Sequence, residues 1–385
     1  MNKSKALRIL SVCAVLLAAG VVVMGAYTRL AHAGLGCPDW PTCYGHLWVP
    51  DSASEIERAN QQFNDTPVET DKTWPEQLHR LMASTLGMVI LALFALVLRD
   101  YSASRVPFTL PLVALVGAVV ARVFVGDSLD PLLWLLVGAY FGNLFLLSRK
   151  RAVQQTPQLV VHVAFLVGLV VLQGFFGMWT VTLKLWPQVV TAHLLGGFAT
   201  LSLLWLFCLR VVAVHGGGAQ ASWLALRPWL AIALVLVIAQ ITLGGWTSAN
   251  YAALACTDLP TCHGLWWPQA DFSQGFNIFQ HVGPNYLGGQ LDSDARTAIH
   301  MSHRIGAVLV LLSVGGLIFQ LQRQGQALLA AALLASLALQ LGLGISNVVF
   351  SLPLVIAVAH NAGGALLLLC LLTCLYKLRP SNRIV

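Results

Sequence analysis

An acid and an imidazole, Glu76 and His79, lie three residues apart at the start of a long apolar segment. Residues three apart share one face of a helix, so this pair can act together in proton transfer or in stabilising charge. A second apolar segment opens in the same way with His300 and His303, where a histidine replaces the acid. The contrast makes Glu76 a candidate catalytic residue. A carboxylate in a first helical turn can also simply interact with the helix dipole, by about 0.3–1 kcal/mol, so capping is the alternative.

Four histidines share one position, because each lies within about two turns of the predicted start of an apolar helix. They are His79, His193, His303 and His360. At 1.5 Å per residue they lie at a common depth, about 6–12 Å along their helices. Two imidazoles at matched depth on different helices are what a helix bundle needs to ligate a haem iron from both sides. Proton relay and packing are the alternatives, and packing is our interpretation of His162.

Small residues accompany these histidines. His193 and His360 are each followed by glycines at the third and fourth positions, and the absent side chains would let a flat macrocycle lie against the ligand face. A shorter pattern, a glutamine four residues before a glycine, predicts close helix packing at small residues. It occurs at Gln173, Gln240 and Gln340.

The composition is that of a polytopic membrane protein. Of 385 residues 57% are hydrophobic and only 10% are charged, too few to cover a soluble globule of this size. The apolar segments approach the roughly 20 residues with which a helix spans a bilayer, and they lack the alternation of a barrel. The net charge of +7 is scattered between these segments, which argues against a nucleic-acid partner and favours contact with membrane lipid.

Ten apolar segments predict ten membrane-spanning helices. They are approximately residues 7–27, 77–98, 106–125, 131–147, 159–181, 188–212, 229–248, 297–321, 327–349 and 354–376. If the N-terminus lies in the cytoplasm, every inner connection carries Lys or Arg and the long loops, about 28–75 and 249–296, lie outside. The sequence therefore predicts a multi-pass protein of a bacterial inner membrane with both termini in the cytoplasm.

An internal repeat relates the two parts of the chain. Residues 25–45 align without a gap on residues 244–264, and the histidines recur at matching places further along. Because an even number of spans separates equivalent points, the halves are parallel repeats related by an axis along the membrane normal.

Four of the eight cysteines form two Cys-x5-Cys pairs at the same place in the two outer loops. The pairs are Cys37 with Cys43 and Cys256 with Cys262. In an oxidising outer compartment disulfides that restrain the loops are the natural interpretation. A redox role, passing electrons to or from the site, is a second interpretation, and a zinc site that includes His263 is a third.

Three arginines lie near the predicted site, and they are Arg29, Arg80 and Arg304. A guanidinium group can bind a haem propionate through two charge-assisted hydrogen bonds. The alternative is that the side chain reaches to the membrane interface, and this applies most strongly to Arg29.

The motifs, taken together, point to one known family. They are Thr28-Arg29-Leu30, Cys37-Pro38-Asp39-Trp40-Pro41, Glu76-x-x-His79-Arg80, Trp179-Thr180-Val181 followed by Pro187 and His193, His303-Arg304, and His360. This set resembles the heme A synthase family, in the proteobacterial form related to the mitochondrial enzyme. The likeness covers nearly the whole chain apart from about residues 101–150.

The resemblance implies an all-α polytopic membrane fold with two tandem, pseudo-symmetric four-helix bundles. The first, residues 1–215, would be the catalytic half, and the second, residues 216–385, would carry a resident haem. The segment 106–147 departs from the family's usual pattern, and we expect it to add a helical hairpin to the first bundle. An even insertion preserves the topology of everything after it.

The resemblance also implies roles for the site residues. The substrate, heme O, would lie at His79 and His193, and a heme b at His303 and His360. Glu76 would take part in the chemistry, and both cysteine pairs would be periplasmic disulfides. The reaction oxidises one porphyrin methyl group to a formyl group by successive hydroxylations. The chain would thus be a membrane oxidoreductase that supplies heme A for terminal oxidase biogenesis.

Other functions fit parts of the pattern. A di-haem membrane cytochrome that carries electrons between quinone and a periplasmic partner would also need two bis-histidine sites, although it would not need Glu76 on one side only. A transporter would place its ionisable groups at the midplane, whereas these groups cluster near the outer face. For a heme A synthase, the candidate partners are heme O synthase, oxidase assembly factors and further copies of this chain.

Overall fold

The computed structural model describes residues 3–99, 105–125, 130–154, 158–212 and 223–378, and this part of the chain is helical apart from its loops. The helices are α1 (Lys3–Leu30), α2 (Ala53–Gln62), α3 (Thr70–Arg99), α4 (Val106–Val125), α5 (Asp130–Gln154), α6 (Gln158–Thr182), α7 (Pro187–Val212), α8 (Trp223–Ala249), α9 (Phe272–Gly275), α10 (Ser293–Arg323), α11 (Ala327–Val349) and α12 (Leu354–Lys377). Over these residues the only β-type pairing is two isolated bridges. The predicted all-α membrane fold is confirmed.

Nine helices in the described ranges are long and apolar enough to cross a membrane. The predicted third span falls on α4, which runs over Val106–Val125. All ten predicted segments therefore fall on helices. The short helices α2 and α9 belong to the two long loops, on what we call the loop side of the protein.

The helix that carries Glu76 begins earlier than its apolar segment predicts. α3 starts at Thr70, in polar sequence, and α10 likewise starts before its apolar segment, at Ser293. Pro75, predicted to lie at the helix start, therefore lies inside α3. Glu76 is not in the first turn, so the interpretation of this carboxylate as a helix cap is wrong.

Eight of the spanning helices close into two rings of four. In the first ring α1, α3, α6 and α7 pack in that cyclic order, and in the second ring α8, α10, α11 and α12 do so. Helices α3 and α7 are diagonal partners in the first ring, as α10 and α12 are in the second. The rings pack together through α1 and α7 against α8 and α12. This is the form of two tandem four-helix bundles, and the predicted boundary at residues 215 and 216 lies outside the described residues.

The expected helical hairpin is present beside the first ring. Helices α4 and α5 pack on each other, and α5 packs against α6. Asn143 Nδ2 donates to the Pro107 carbonyl at 2.7 Å, and the Tyr140 hydroxyl donates to the Ala164 carbonyl at 2.6 Å. A Cβ atom at Gly168 would lie 2.6 Å from the Tyr140 ring, so glycine is needed for this approach. The hairpin is a lateral addition that leaves the first ring closed.

The repeat is visible in the conformation of the two loops. His32 and Tyr251, at matching positions, both adopt left-handed backbone, with φ of 58° and 55°. The carboxylates of Asp39 and Asp258 each accept hydrogen bonds from a threonine hydroxyl and two loop amides. In the second loop the hydroxyl and amide donors hold the pKa of Asp258 well below its usual range. The two loops therefore share one local fold.

The second long loop also crosses to the first ring. We call residues 278–286 the strap. The indole nitrogen of Trp186, in the turn between α6 and α7, donates to the Gln280 carbonyl at 3.2 Å. The backbone amide of Tyr286 donates to the Lys184 carbonyl in the same turn at 3.0 Å. A loop from the second half thus completes the loop side of the first ring.

Candidate functional site

The first ring holds two imidazoles that face each other. The ring centroids of His79, on α3, and His193, on α7, are 6.3 Å apart, and the ring planes are at 89°. A metal–imidazole bond is about 2 Å long, and the ring centroid lies about 1 Å behind its nitrogen, so imidazoles on opposite sides of one metal have centroids about 6 Å apart. The spacing fits two axial ligands of one haem iron.

Each of the four predicted ligands lies against a glycine of a neighbouring helix. The pairs are Gly25 with His79, Gly177 with His193, Gly244 with His303, and Gly344 with His360. A Cβ atom at these glycines would lie 2.8, 3.5, 3.3 and 3.0 Å from the histidine Cε1 atom, respectively. The sequence analysis did not assign these glycines to the site, although the repeat alignment matches Gly25 with Gly244. The four contacts give both rings the same ligand geometry.

Three of the four predicted ligands have a buried ring nitrogen that lacks a protein partner. Within the described residues, Nδ1 of His79, His193 and His360 makes no hydrogen bond. His162, which we interpreted as a packing residue, instead bonds through both ring nitrogens, to a backbone carbonyl and to a guanidinium group, each at 2.9 Å. Buried polar atoms are normally satisfied, so these unpartnered ring nitrogens point to a group that the protein itself does not supply. These residues fit a haem.

Two of the glycines that follow the ligand histidines do not provide open space. A Cβ atom at Gly196 would overlap the side-chain amide of Gln173, and one at Gly363 would overlap that of Gln340. The expectation that these glycines make room for a macrocycle is therefore wrong. The repeated glutamines occupy that room, beside the ligand helices.

Glu76 is buried, with 4% of its surface exposed, and is bound to the first disulfide loop. Its Oε2 atom accepts a hydrogen bond from the Cys37 amide at 3.0 Å, and its Oε1 atom is ion-paired with Arg80. At the matching position His300 is also buried, and its Nδ1 bonds to the Ala252 carbonyl at 3.0 Å. Only the first ring thus has a fixed carboxylate one helical turn from a predicted ligand.

Arg80 and Arg304 hold the two disulfide loops in place. Arg80 donates to the carbonyls of Asp39 and Thr42, both at 2.8 Å. Arg304 donates to the carbonyl of Thr261 at 2.7 Å. These bonds give each guanidinium a structural role that the sequence analysis missed, because the partners are loop carbonyls about 40 residues away in the chain. The propionate pairing stays a prediction.

Arg29 joins the two halves. It donates to the Tyr251 hydroxyl at 2.9 Å and to the Ser248 carbonyl at 2.6 Å, and its guanidinium lies 4.3 Å from the Tyr251 ring centroid. His32 stacks on the same tyrosine ring, at 5.5 Å between centroids. A cation at the carbonyl end of α8 also interacts favourably with the helix dipole. The structure therefore places Arg29 between the rings, and its pairing with a propionate also stays a prediction.

Both cysteine pairs are disulfide-bonded, Cys37 to Cys43 and Cys256 to Cys262. All four cysteines are completely buried. Within the described ranges no group of three or more His, Cys, Asp or Glu side chains could hold a metal ion, so a zinc site there has no support. The predicted disulfide pairing is confirmed, and the loop-restraining role stays a prediction.

We predict that Arg80→Met destabilises the protein more than Arg304→Met. Removing one partner of a buried ion pair costs about 3–5 kcal/mol, because the other charge stays buried without compensation. Hydrogen bonds from a charged donor to neutral carbonyls, which both variants lose, contribute about 1.5–3 kcal/mol each. Thermal unfolding of the purified proteins, followed by intrinsic fluorescence, measures the difference. Equal losses of thermal stability in the two variants would show that the buried charge of Glu76 does not need Arg80 as its partner.

Comparison with known proteins adds the family context. The sequence profile of the family described as cytochrome oxidase assembly protein (COX15-CtaA) matches residues 8–129 and 131–372. The match includes the hairpin, contrary to the expectation that the likeness omits residues 101–150.

Individual relatives match over most of their length. A protein of Shewanella oneidensis named heme A synthase is 41% identical over 93% of this chain and 92% of its own. A heme A synthase of Caulobacter vibrioides is 25% identical over 90% of this chain and 89% of its own. Heme A synthase COX15 of Arabidopsis thaliana is 23% identical over 93% of this chain and 71% of its own.

Proposed function

This chain belongs to the cytochrome oxidase assembly protein (COX15-CtaA) family, and we infer from that membership that it is a heme A synthase, a membrane enzyme that converts heme O into heme A. The observation that carries the conclusion is the 41% identity to a heme A synthase over 93% of the chain. The paired histidines of the first ring support it, because the substrate is itself a haem.

We assign the substrate heme O to the first ring and a resident heme b to the second. His79 and His193 would hold the substrate iron, and His303 and His360 the resident iron. Support for this division comes from Glu76, because both rings share the glycine–histidine contacts but only the first has the carboxylate. The resident haem would supply one-electron redox chemistry when bound.

The protein's own groups prepare the first ring for the reaction. The facing imidazoles of α3 and α7 would hold the iron of the substrate between them. Glu76 Oε1 and Oε2 are the atoms that would accept a proton or stabilise positive charge during methyl oxidation. Arg80 and the Cys37 amide keep that carboxylate in one orientation, so no reorganisation is needed when charge develops.

The location in the bacterial inner membrane, with both termini in the cytoplasm, is also part of the proposal. It is supported by the Lys and Arg residues on the side opposite the long loops. The two disulfides on the loop side fit an oxidising compartment there.

A pigment assay tests the function. Cells that produce this protein together with a heme O synthase should accumulate heme A and its hydroxylated precursor, and cells that produce the heme O synthase alone should not. Pyridine haemochrome spectra of extracts and of purified protein distinguish the haem types. Purified protein that contains b-type haem, in cells where heme O stays unconverted, would identify a di-haem electron carrier instead.

A further inference from the structure

We propose that Gln240 and Gln340 are positioning residues that orient the two ligands of the resident haem and set its reduction potential. The proposal rests on the proposed function, in which His303 and His360 hold that haem. It concerns two side chains to which the sequence pattern alone gave only a packing role.

Both glutamine amides contact the ligand histidines. Gln240 Nε2 lies 3.0 Å from His303 Nδ1 and donates to the His303 backbone carbonyl at 2.9 Å. Gln340 Nε2 lies 3.4 Å from His360 Nε2. A Cβ atom at Gly306, one turn after His303, would overlap the Gln240 amide. The glycine is therefore what admits the glutamine to the imidazole.

The other amide atom of each glutamine has no partner. Oε1 of Gln240 and Oε1 of Gln340 are buried and make no hydrogen bond within the described residues. A half-turn of the Gln340 amide exchanges Oε1 with Nε2 and brings this acceptor to the His360 ring. The same half-turn at Gln240 exchanges its bond to the His303 carbonyl for one from the His303 ring. An imidazole that binds iron through one nitrogen carries a proton on the other, and ligand histidines nearly always donate that proton to an acceptor. The unpartnered oxygens are acceptors of the required kind.

Over the described residues, the first ring lacks these contacts between a glutamine amide and a ligand imidazole. The repeat matches Gln240 with Val21, and it matches Gly306 with Met82. The Met82 Cε atom lies 3.0 Å from where a Cβ atom at Gly20 would be, so an apolar side chain occupies the corresponding space. His79 therefore has no matching glutamine, and Nδ1 of His193 makes no hydrogen bond within the described residues. A haem that is substrate must be released after each turnover, whereas a resident haem must be retained, and the distribution of glutamines follows that division.

The test is a redox titration of the resident haem in purified holoprotein. Gln240→Leu and Gln340→Leu remove the acceptor and make the surroundings less polar, and both changes disfavour the ferric state, so the midpoint potential should rise. Gln240→Glu adds a stronger, negatively charged acceptor and should lower it. Low-temperature electron paramagnetic resonance of the ferric haem should shift with the potential. The resonance spectrum separates the two roles, because loss of a hydrogen bond to a ligand imidazole changes the ligand field at the iron, whereas loss of a side chain that only fills space does not.

Gln173→Leu is the matched control, because Gln173 lies in the first ring, and it should leave the potential of the resident haem unchanged. If a leucine variant loses its haem on purification, the Gln240→Glu potential decides. Unshifted potentials and spectra in the Gln240 and Gln340 variants would overturn the proposal. If the unsubstituted protein contained no b-type haem, the assignment of a resident heme b to the second ring would itself be wrong.

Discussion

Glu76→Ala should lower the rate of heme O conversion by about 10²–10⁴-fold, the usual contribution of a positioned acid or base, while the resident b-type haem stays bound. The carboxylate is buried one helical turn from His79, and two bonds fix its position. Nothing in the second ring replaces it, because His300 at the matching position bonds to a loop carbonyl. Turnover is measured as heme A formed per protein, and haem retention by absorption spectra of the same samples.

Two further variants sharpen this prediction. Glu76→Gln can still accept the Cys37 amide bond but cannot hold a charge, so it should be as inactive as the alanine variant if the carboxylate does chemistry. His300→Ala is the matched control in the second ring and should retain turnover. If Glu76→Ala lowered the haem content of both rings equally, the residue would be structural and the catalytic assignment would be lost.

His303→Ala should remove the resident b-type haem. A bis-histidine site that loses one axial ligand keeps only one of its two iron bonds, and here the other ligand, His360, rests against Gly344 with no side chain to compensate. Haem per protein in the pyridine haemochrome assay should fall by one b-type equivalent, and the reduced-minus-oxidised difference spectrum should disappear. Electron supply to the first ring would then fail, so heme A formation should cease as well.

The control for this experiment is His263→Ala, which changes an exposed histidine in a loop of the same half. Its imidazole bonds to the Ala255 carbonyl, away from the ring interior, so the haem content should not change. An unaltered difference spectrum in His303→Ala would overturn the ligand assignment. The double variant with His360→Ala should lose no more haem than the single one, because both residues serve one iron.

Hydropathy and the repeat predicted most of the fold. Long apolar segments place helices reliably, and the gapless alignment of residues 25–45 with 244–264 predicted two loops that the structure folds alike. The start of α3 could not be predicted in this way, because its first turns are polar and precede the apolar segment in the chain. Placing Glu76 inside a helix, rather than at its cap, depended on seeing that extension.

The chemistry of the site was predicted less completely. The four histidines are identified by their distance from the predicted start of each helix, which can be counted along the sequence. The partners of Arg80 and Arg29 could not be identified from the sequence, because a backbone carbonyl has no side-chain signature. The partner carbonyls of Arg80 lie 38 to 41 residues away in the chain, and that of Arg29 lies more than 200 residues away. The glutamines had a signal, their fixed distance before a glycine, but only the packed helices show that the amide reaches an imidazole.

The strap has a consequence for how the protein is made. Trp186 and its partner Gln280 are 94 residues apart, so at about 5–20 residues per second the ribosome needs about 5–20 s to supply the second after the first. By the end of that interval the helices of the first ring have all been synthesised, yet the Trp186 indole still lacks its partner in the strap. A fragment that ends at Val212 would never gain its partner. The first ring is therefore completed by residues that are translated after it, and expression of that ring alone should yield an incomplete loop side.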